Sequence, residues 1–261
     1  MKIAKALYYL KHPRDLQFAL AIKYPRLFSD KQFLEIFFRH LMGSELNLKC
    51  PQTFNEKLQW LKLYDHNPQY TQMVDKHEAK KYVASIIGEE YIIPTLAVYN
   101  STKEINLDVL PDKFVLKCTH DSGSVAICKD KKTFKTDEAF AMLEKGLQKN
   151  YFWQNREWPY KNVKPRIIAE AYLEDNDTQE LRDYKFFCFN GEVKALFIAG
   201  DRHKDEETKF DFFDADFNHL DIRNGHPNAN TPPAKPHSFE KMKEMAERLS
   251  QNIPHLRVDF Y

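Results

Sequence analysis

Glycine is scarce in this chain: 7 residues in 261, against 20 phenylalanines and 13 tyrosines. That balance excludes a disordered or low-complexity polypeptide, because aromatic side chains supply the buried area that offsets chain entropy. Cysteine is scarce too, and Cys50, Cys118, Cys128 and Cys188 fall in no paired pattern. Structural zinc sites present closely spaced Cys or His pairs, which Cys118-x-His120 followed by Cys128 does not supply. The cysteines therefore read as reduced core thiols. No apolar run approaches the ~18 residues of a membrane span, and there is no internal repeat. The opening MKIAKALYYLKHPRD is a poor signal peptide, since Lys5 splits its short apolar run and no small-residue cleavage site follows. These absences place the chain in the cytoplasm. The formal net charge of +1 gives no global case for nucleic acid as a partner.

What is present fits a soluble globular protein. With 43% hydrophobic and 30% charged residues over 261 positions, the chain can bury a substantial core in one large domain or in two or three lobes. The charge is uneven. Residues 1–40 hold eight Lys/Arg and three Asp/Glu, interleaved with Tyr8, Tyr9, Phe18, Tyr24, Phe28, Phe33, Phe37 and Phe38. This mixture fits a peripheral membrane contact, a grip on an acidic polymer, or a helical packing element with a solvated basic face.

Up to about residue 65 the pattern is helical. In PQTFNEKLQWLKLYD, Thr53 and Glu56 form a capping box, and Phe54, Leu58, Leu61 and Leu63 supply apolar contacts. A second helix starts near Asp75 and stops at Gly88. YIIPTLAVYN reads as a strand in which Pro94 marks an edge or a start. From Lys113 the period shifts: KFVLKC and SVAICKD form a hairpin, TDEAFAMLEKGLQ a helix with Phe140, Leu143 and Leu147 on one face, and IIAEAYLED a strand. DYKFFCFNGEVKALFIAG turns at Asn190-Gly191, a strong hairpin signal, and FDFFDADFNHLDIR reads as a further strand pair around an Asp-rich turn. Asn224 to His237, with four prolines, reads as a lid or linker too polar to be packed. Ser238 then caps an amphipathic helix with Phe239, Met242, Met245, Ala246 and Leu249 inward, and HLRVDFY closes the chain as a strand. Segregated helices and antiparallel hairpins predict an α+β protein in several lobes.

The chemistry centres on LKCTHDSGSVAIC. A lysine inside an apolar strand must bring its ammonium to water or to an anion. Lys117 thus either snorkels at a strand edge or meets a phosphate on the THDSGS turn, whose backbone N–H groups and Gly123 permit close approach. Lys185 alternates with Phe186 and suits an exposed face as well as a site. Arg202, within AGDRHKDEE, belongs to a solvated charge cluster rather than to an acidic acceptor's site.

Taken in order, Asp75-Lys76, FVLKC-THDSGS-VAIC, IIAEAYL, Asp183-Tyr184-Lys185, Asn190-Gly191 and Arg257-Val258-Asp259-Phe260 resemble the ATP-grasp superfamily. PQTFNEKLQWLK and DYKFFCFNGEV resemble its TupA-like branch, related to teichuronopeptide biosynthesis proteins of bacterial surface polysaccharide loci. The resemblance covers roughly residues 50–261. It implies an ATP-grasp-like α+β fold: a helical region at 1–65, first lobes at 66–173 carrying the phosphate-loop hairpin, and a C-terminal lobe at 174–261, two α+β lobes clasping a nucleotide.

The same resemblance implies an ADP-forming carboxylate–amine ligase using ATP and Mg2+, with an acidic sugar or polysaccharide as acceptor and an amino acid or other amine as donor. Phosphoryl transfer asks mainly for positioning and charge neutralisation, which explains recurring lysines and backbone amides. By this resemblance Lys76 and Lys117 contact ATP phosphates. His120, Ser122, Gly123 and Ser124 belong to the loop over the β- and γ-phosphates. Glu170 accepts from the adenine amino group, with Ala171, Tyr172 and Leu173 as hinge backbone and apolar wall. Asp183 and Lys185 lie where ribose or phosphate binds, Arg257 steadies the acyl phosphate, and Asp259 holds magnesium.

The family normally adds a strand after Arg-x-Asp that brings a Glu and often an Asn to the metal, whereas this sequence ends at Tyr261. The expectation is a lobe with its terminal strand missing, metal ligands supplied from elsewhere, or lost catalysis. Asp121, beside the presumed phosphates, fits the site least. Alternatives are a kinase on the same fold, a glycosyltransferase, or a non-catalytic module binding an acidic polysaccharide.

Overall fold

A computed structural model describes residues 8–174, 182–200 and 207–261; Arg202 lies outside them. The chain divides into two compact units, one containing Met1–Tyr82 and Ile93–Ala171, the other Val83–Ile92 and Tyr172–Tyr261. Each is built on one antiparallel sheet, and the whole is an α+β arrangement. No described helix is long and apolar enough to cross a membrane.

The first unit begins with helices Pro13–Lys23, Asp30–Met42 and Phe54–Tyr64. Capping boxes fix the second at Ser29/Gln32 and the third at Thr53/Glu56. The third helix nonetheless buries none of its residues, and Phe54 is exposed; of its expected contacts, Leu63 joins the small core of Ala21, Phe33 and Leu34. Arg156 ties this region to the rest of the unit. Its side chain is fully buried, pairs with Asp30 at 2.8 Å, donates to the Pro25 and Phe28 carbonyls, and lies 4.2 Å from the Phe33 ring centroid.

The sheet of this unit runs in the order β1-β4-β2-β3, with β1 at Thr95–Tyr99, β2 at Phe114–Cys118, β3 at Val125–Cys128 and β4 at Ile167–Ala171. Strand alternation divides it into two unlike faces. Phe114, Leu116, Cys118, Ala126, Cys128, Ile167 and Ala169 form one, which packs with Ala139 and Leu143 of the Thr136–Leu147 helix. Pro94 stands where β1 begins, and its carbonyl accepts from Ala171 N at 3.0 Å. The other face carries the chemistry described below.

The second unit's sheet runs β8-β7-β6-β5-β9: β5 is Asp183–Phe189, β6 Glu192–Gly200, β7 Lys209–Asp214, β8 His219–Leu220 and β9 Leu256–Phe260. Asn190 and Gly191 take positive φ (52° and 85°), the primed turn that matches strand twist. Asp214 accepts from Asp216 N and Asn218 N, which closes the Asp-rich turn. The Phe239–Leu249 helix buries all five expected residues.

Two expectations change here. Ser238 occupies the N-cap position but makes no side-chain capping bond. A missing cap costs about 1 kcal/mol, little against the four large buried side chains, Phe239, Met242, Met245 and Leu249, worth roughly 1.5–3 kcal/mol each. The proline-rich stretch is also not loose throughout. Phe210 N donates to the Pro227 carbonyl at 3.0 Å, Asn228 Nδ2 to the Phe210 carbonyl at 3.1 Å and Ala229 N to Asp211 Oδ1 at 3.2 Å. Backbone-directed bonds to β7 anchor a polar segment that hydropathy alone leaves free.

Candidate active site

In the antiparallel register Val115 faces Glu170, Lys117 faces Ile168, and Thr95 faces Glu170 from the other side. Directly opposed residues point to the same face. Lys117, Glu170 and Thr95 therefore share the side of the sheet turned away from the Thr136–Leu147 helix, together with Val98, Val125 and Ile127, all three exposed. The result is an apolar floor with a buried carboxylate at its centre.

Two lysines hold that carboxylate. Lys117 contacts Glu170 Oε2, and Lys80, from the Glu78–Ile87 helix, reaches Glu170 Oε1 at 2.5 Å, Thr95 Oγ1 at 2.7 Å and the Ile93 carbonyl at 2.6 Å. Burial lowers the Lys80 pKa; Glu170 opposes the shift and Lys117 adds to it. Lys76 is close by, its ammonium donating to the Cys118 carbonyl at 2.8 Å and to that of Asp121. Burial lowers its pKa as well, Asp121 opposing and the Lys117 charge contributing. Three lysines set against two buried carboxylates, Glu170 and Asp121, leave a surplus of one positive charge, which favours an anion.

The loop after β2 is braced from within. Ser124 Oγ donates to Asp121 Oδ2 at 2.5 Å, and His120 Nε2 lies 3.1 Å from both the Gly146 and Lys149 carbonyls at the end of the Thr136–Leu147 helix. His120, Asp121 and Ser124 are buried, whereas Ser122 and Gly123 form the exposed tip, Gly123 at φ 101°. Asp121 is thus accounted for as a brace: its carboxylate holds Ser124 and its carbonyl receives Lys76.

Below the loop, Asp75 Oδ1 accepts from His77 N and Glu78 N at the start of the Glu78–Ile87 helix. Arg166 bonds Asp75 Oδ2 at 2.8 Å and Glu78 Oε1 at 3.1 Å. Neither Arg166 nor Lys80 stands among the residues that the sequence singles out. Lys80 sits one helical turn beyond Lys76, an i,i+4 spacing that is the available signal. Ala171 ends β4 opposite Phe114; Tyr172 is half-buried and Leu173 exposed.

The second unit gathers the other four candidates. Lys185 on β5 lies directly opposite Asp259 on β9 and bonds it at 2.7 Å, with Asp183 Oδ2 at 3.2 Å. Arg257 grips Asp259 with both arms of its fork, Nε to Oδ1 at 2.7 Å and Nη2 to Oδ2 at 2.9 Å. Burial pushes the Asp259 carboxyl up, but the Arg257 bonds and charge together with Lys185 outweigh it, and the group sits below its ordinary range. This is a poor start for a resident magnesium ion. Both oxygens of Asp259 are committed to cations, and among the described residues no three His, Cys, Asp or Glu side chains converge. The donor set does not fit a resident metal.

A family model described as TupA-like ATPgrasp matches residues 56–261. No curated protein matches the chain. Among solved structures, D-alanine–D-alanine ligase from Bacillus anthracis complexed with ATP is similar with a TM-score of 0.37 and 17% identity, covering 72% of this chain and 48% of that one. ATP-grasp ligase PsnB complexed with minimal precursor, Mg and ADP is similar with a TM-score of 0.38 and 10% identity, covering 92% of this chain and 60% of that one. The chain spans about half the length of the solved structures it matches.

Proposed function

Because the chain belongs to the TupA-like ATP-grasp family across residues 56–261, we propose that it is an ATP-dependent ligase joining a carboxylate to an amine. The observation that carries this reading is the cluster of Lys80, Lys117 and Glu170 on the open face of the first sheet. An apolar floor beside surplus positive charge suits a nucleotide, whose base is flat and whose phosphates are anionic. Binding exchanges partners: Lys117 leaves Glu170 for a phosphate oxygen, and Glu170 accepts from the adenine amino group. Lys76 and Lys80 add charge to the phosphates, and Ala171, Tyr172 and Leu173 supply hinge backbone and an apolar wall. Ser122 and Gly123 offer backbone N–H groups to the β- and γ-phosphates, while His120, Asp121 and Ser124 hold the loop's shape.

ATP enters as its magnesium complex, the ion accompanying the phosphates. A carboxylate oxygen of the acceptor attacks the γ-phosphorus, the bond to the β,γ-bridging oxygen breaks, and ADP leaves with that oxygen's electron pair. The amine then attacks the acyl carbon of the acylphosphate; the C–N bond forms, the C–O bond to phosphate breaks, and the nitrogen loses a proton. Arg257 and Lys185 steady the oxygens of the acylphosphate and its tetrahedral intermediate. Asp259, with Asp183 beside Lys185, keeps both cations oriented until substrate oxygens take its place. The acceptor is a uronic acid of a surface polysaccharide or its precursor, a class that follows the likeness to teichuronopeptide biosynthesis proteins.

The test supplies ATP, magnesium, a uronic acid and a mixture of amino acids. ADP and phosphate should appear only when acid and amine are both present. A phosphorylated acceptor formed without amine would make the protein a kinase, and unchanged nucleotide binding in Lys117→Ala and Glu170→Ala would remove the site assignment.

A further inference from the structure

The Pro13–Lys23 helix is apolar on two sides. One side packs inward: Ala21 is fully buried, and Phe18 stacks 3.7 Å from the His40 ring and 4.8 Å from that of Phe37. At 3.6 residues per turn, Leu16 and Leu20 lie on the opposite side, and both are exposed. Leu10, Ile22 and Leu27 are exposed as well, Leu10 and Leu27 nearly four-fifths accessible at 79% and 78%. A helix apolar on two sides has one side left over for a second apolar medium.

The charges around it are mostly positive. Of the three carboxylates between residues 8 and 40, Asp30 is paired with Arg156 and Glu35 with Lys31, while Asp15 accepts from the Tyr8 hydroxyl beside His40 and keeps its charge. Lys11, Arg14, Lys23 and Arg26 have no carboxylate partner among the described residues. Lys23 and Arg26 lie over the Tyr24 and Trp153 rings, contacts that leave their charge uncompensated. Exposed leucines with Lys23 on their side of the helix, in a segment where cations outnumber anions, complement an interface that is apolar inside and anionic at its surface.

We infer that residues 10–27 form a docking face for an anionic membrane surface. The leucines enter the boundary between headgroups and acyl chains, and the cations that share their side, Lys23 among them, lie at the phosphate level. Neither contribution alone gives stable attachment, so the two act together. The contact lies on the bilayer and does not cross it. It is independent of the ligase reading and holds or fails separately from it.

Co-sedimentation of the purified chain with vesicles tests this. Vesicles of phosphatidylcholine and phosphatidylglycerol in equal parts should carry the protein down, whereas phosphatidylcholine alone should not. Raising salt from ~0.1 to ~0.5 M should release it, since screening shortens the reach of the cations. The double variant L16D/L20D, and separately K11E/K23E, should each lower the bound fraction about tenfold while leaving the far-ultraviolet circular dichroism unchanged. Equal binding to both vesicle types, or no binding to either, overturns the inference. So does a dimer in light scattering that L16D/L20D disperses, which would make the face a contact between copies. Binding of soluble polygalacturonate that survives L16D/L20D would assign the cations to an acidic polymer instead.

Discussion

Glu170 is held from two directions, by Lys117 of the neighbouring strand and by Lys80 of the Glu78–Ile87 helix, although the two lysines are separated by 37 positions and each lies more than 50 from the glutamate. Removing the shared carboxylate differs in kind from removing one cation. Glu170→Gln leaves two lysine side chains, 17% and 19% exposed, without a counter-charge. Stranding a buried charge costs about 3–5 kcal/mol; residual solvation of these two brings the expected loss to about 2 kcal/mol. Lys80→Met keeps the Lys117 pair and should cost about 1 kcal/mol. Urea unfolding midpoints check the order, and equal losses would deny Glu170 its central place.

The loop offers a contrast between two glycines. A Cβ on Gly146 would lie 2.5 Å from Ser124 Oγ and 2.8 Å from Cys118 Sγ, so the helix can approach the loop only with no side chain there. Gly146→Ala should destabilise by about 1–3 kcal/mol and weaken nucleotide binding by displacing Ser124 and the brace it forms with Asp121. Gly123 at φ 101° has open space around it, and Gly123→Ala carries backbone strain of about 1 kcal/mol without a collision. Calorimetry with ATP separates them, because the Gly146 variant should lose affinity more than its stability alone explains.

What can be read in advance follows from the range of the interactions. Strand alternation, the Thr53/Glu56 box and the Asn190-Gly191 turn are local, and each stands where the sequence puts it. The apolar face of Phe239–Leu249 obeys the same rule, since a helical period needs only its own residues. The Lys80–Glu170 pair joins residues 90 positions apart, and no period announces it. Asp121 looks misplaced in the sequence because nothing there shows which way a loop carboxylate turns; in the fold it turns inward, to Ser124. Phe54 shows the converse failure: an apolar residue at a helix start, counted on for packing, is left exposed.

Arg156 fastens the N-terminal helices by a fork that a lysine cannot imitate. It reaches three carbonyls and one carboxylate while lying against the rings of Phe33 and Trp153, the latter at 4.7 Å. Arg156→Lys keeps the charge but loses the planar stack and at least one bond, an expected cost of about 2–3 kcal/mol. The first cuts in limited proteolysis should move into residues 24–45, while the sheet of the same unit stays intact on the same timescale.

The thiols differ by environment. Burial pushes the Cys118 pKa up to about 12 and that of Cys188 to about 11, and raises Cys128 in the same direction. Cys50 is exposed. Only the thiolate reacts, so iodoacetamide at neutral pH should modify Cys50 alone in the folded chain and all four cysteines in denaturant. Mass spectrometry of the peptides reads the result, and rapid labelling of Cys118 in the native protein would contradict the closed packing of β2 on the Thr136–Leu147 helix.

Asp259 gives the second unit an acid-sensitive latch. Its folded pKa lies below the ordinary carboxylate value of 3.8, because the Arg257 and Lys185 interactions outweigh burial. A carboxyl with a depressed folded pKa contributes stability that is fully present above its unfolded value and is lost as pH falls through the folded one. The contribution is therefore intact at neutral pH and disappears only below about pH 4, when protonation frees Arg257 and strands Lys185 with Asp183. Asp259→Asn removes it at every pH: the variant should be less stable than the parent at pH 7, and the two should converge as the acid range is entered. Urea midpoints measured from neutral to strongly acidic pH test this, and a gap that stays constant down the whole series would show that Asp259 does not titrate with the latch. The same variant separates latch from metal ligand. If Asp259 only orients Arg257 and Lys185, Asp259→Asn should lower turnover without changing the magnesium concentration that half-saturates the reaction; a shift in that concentration would place the carboxylate on the ion.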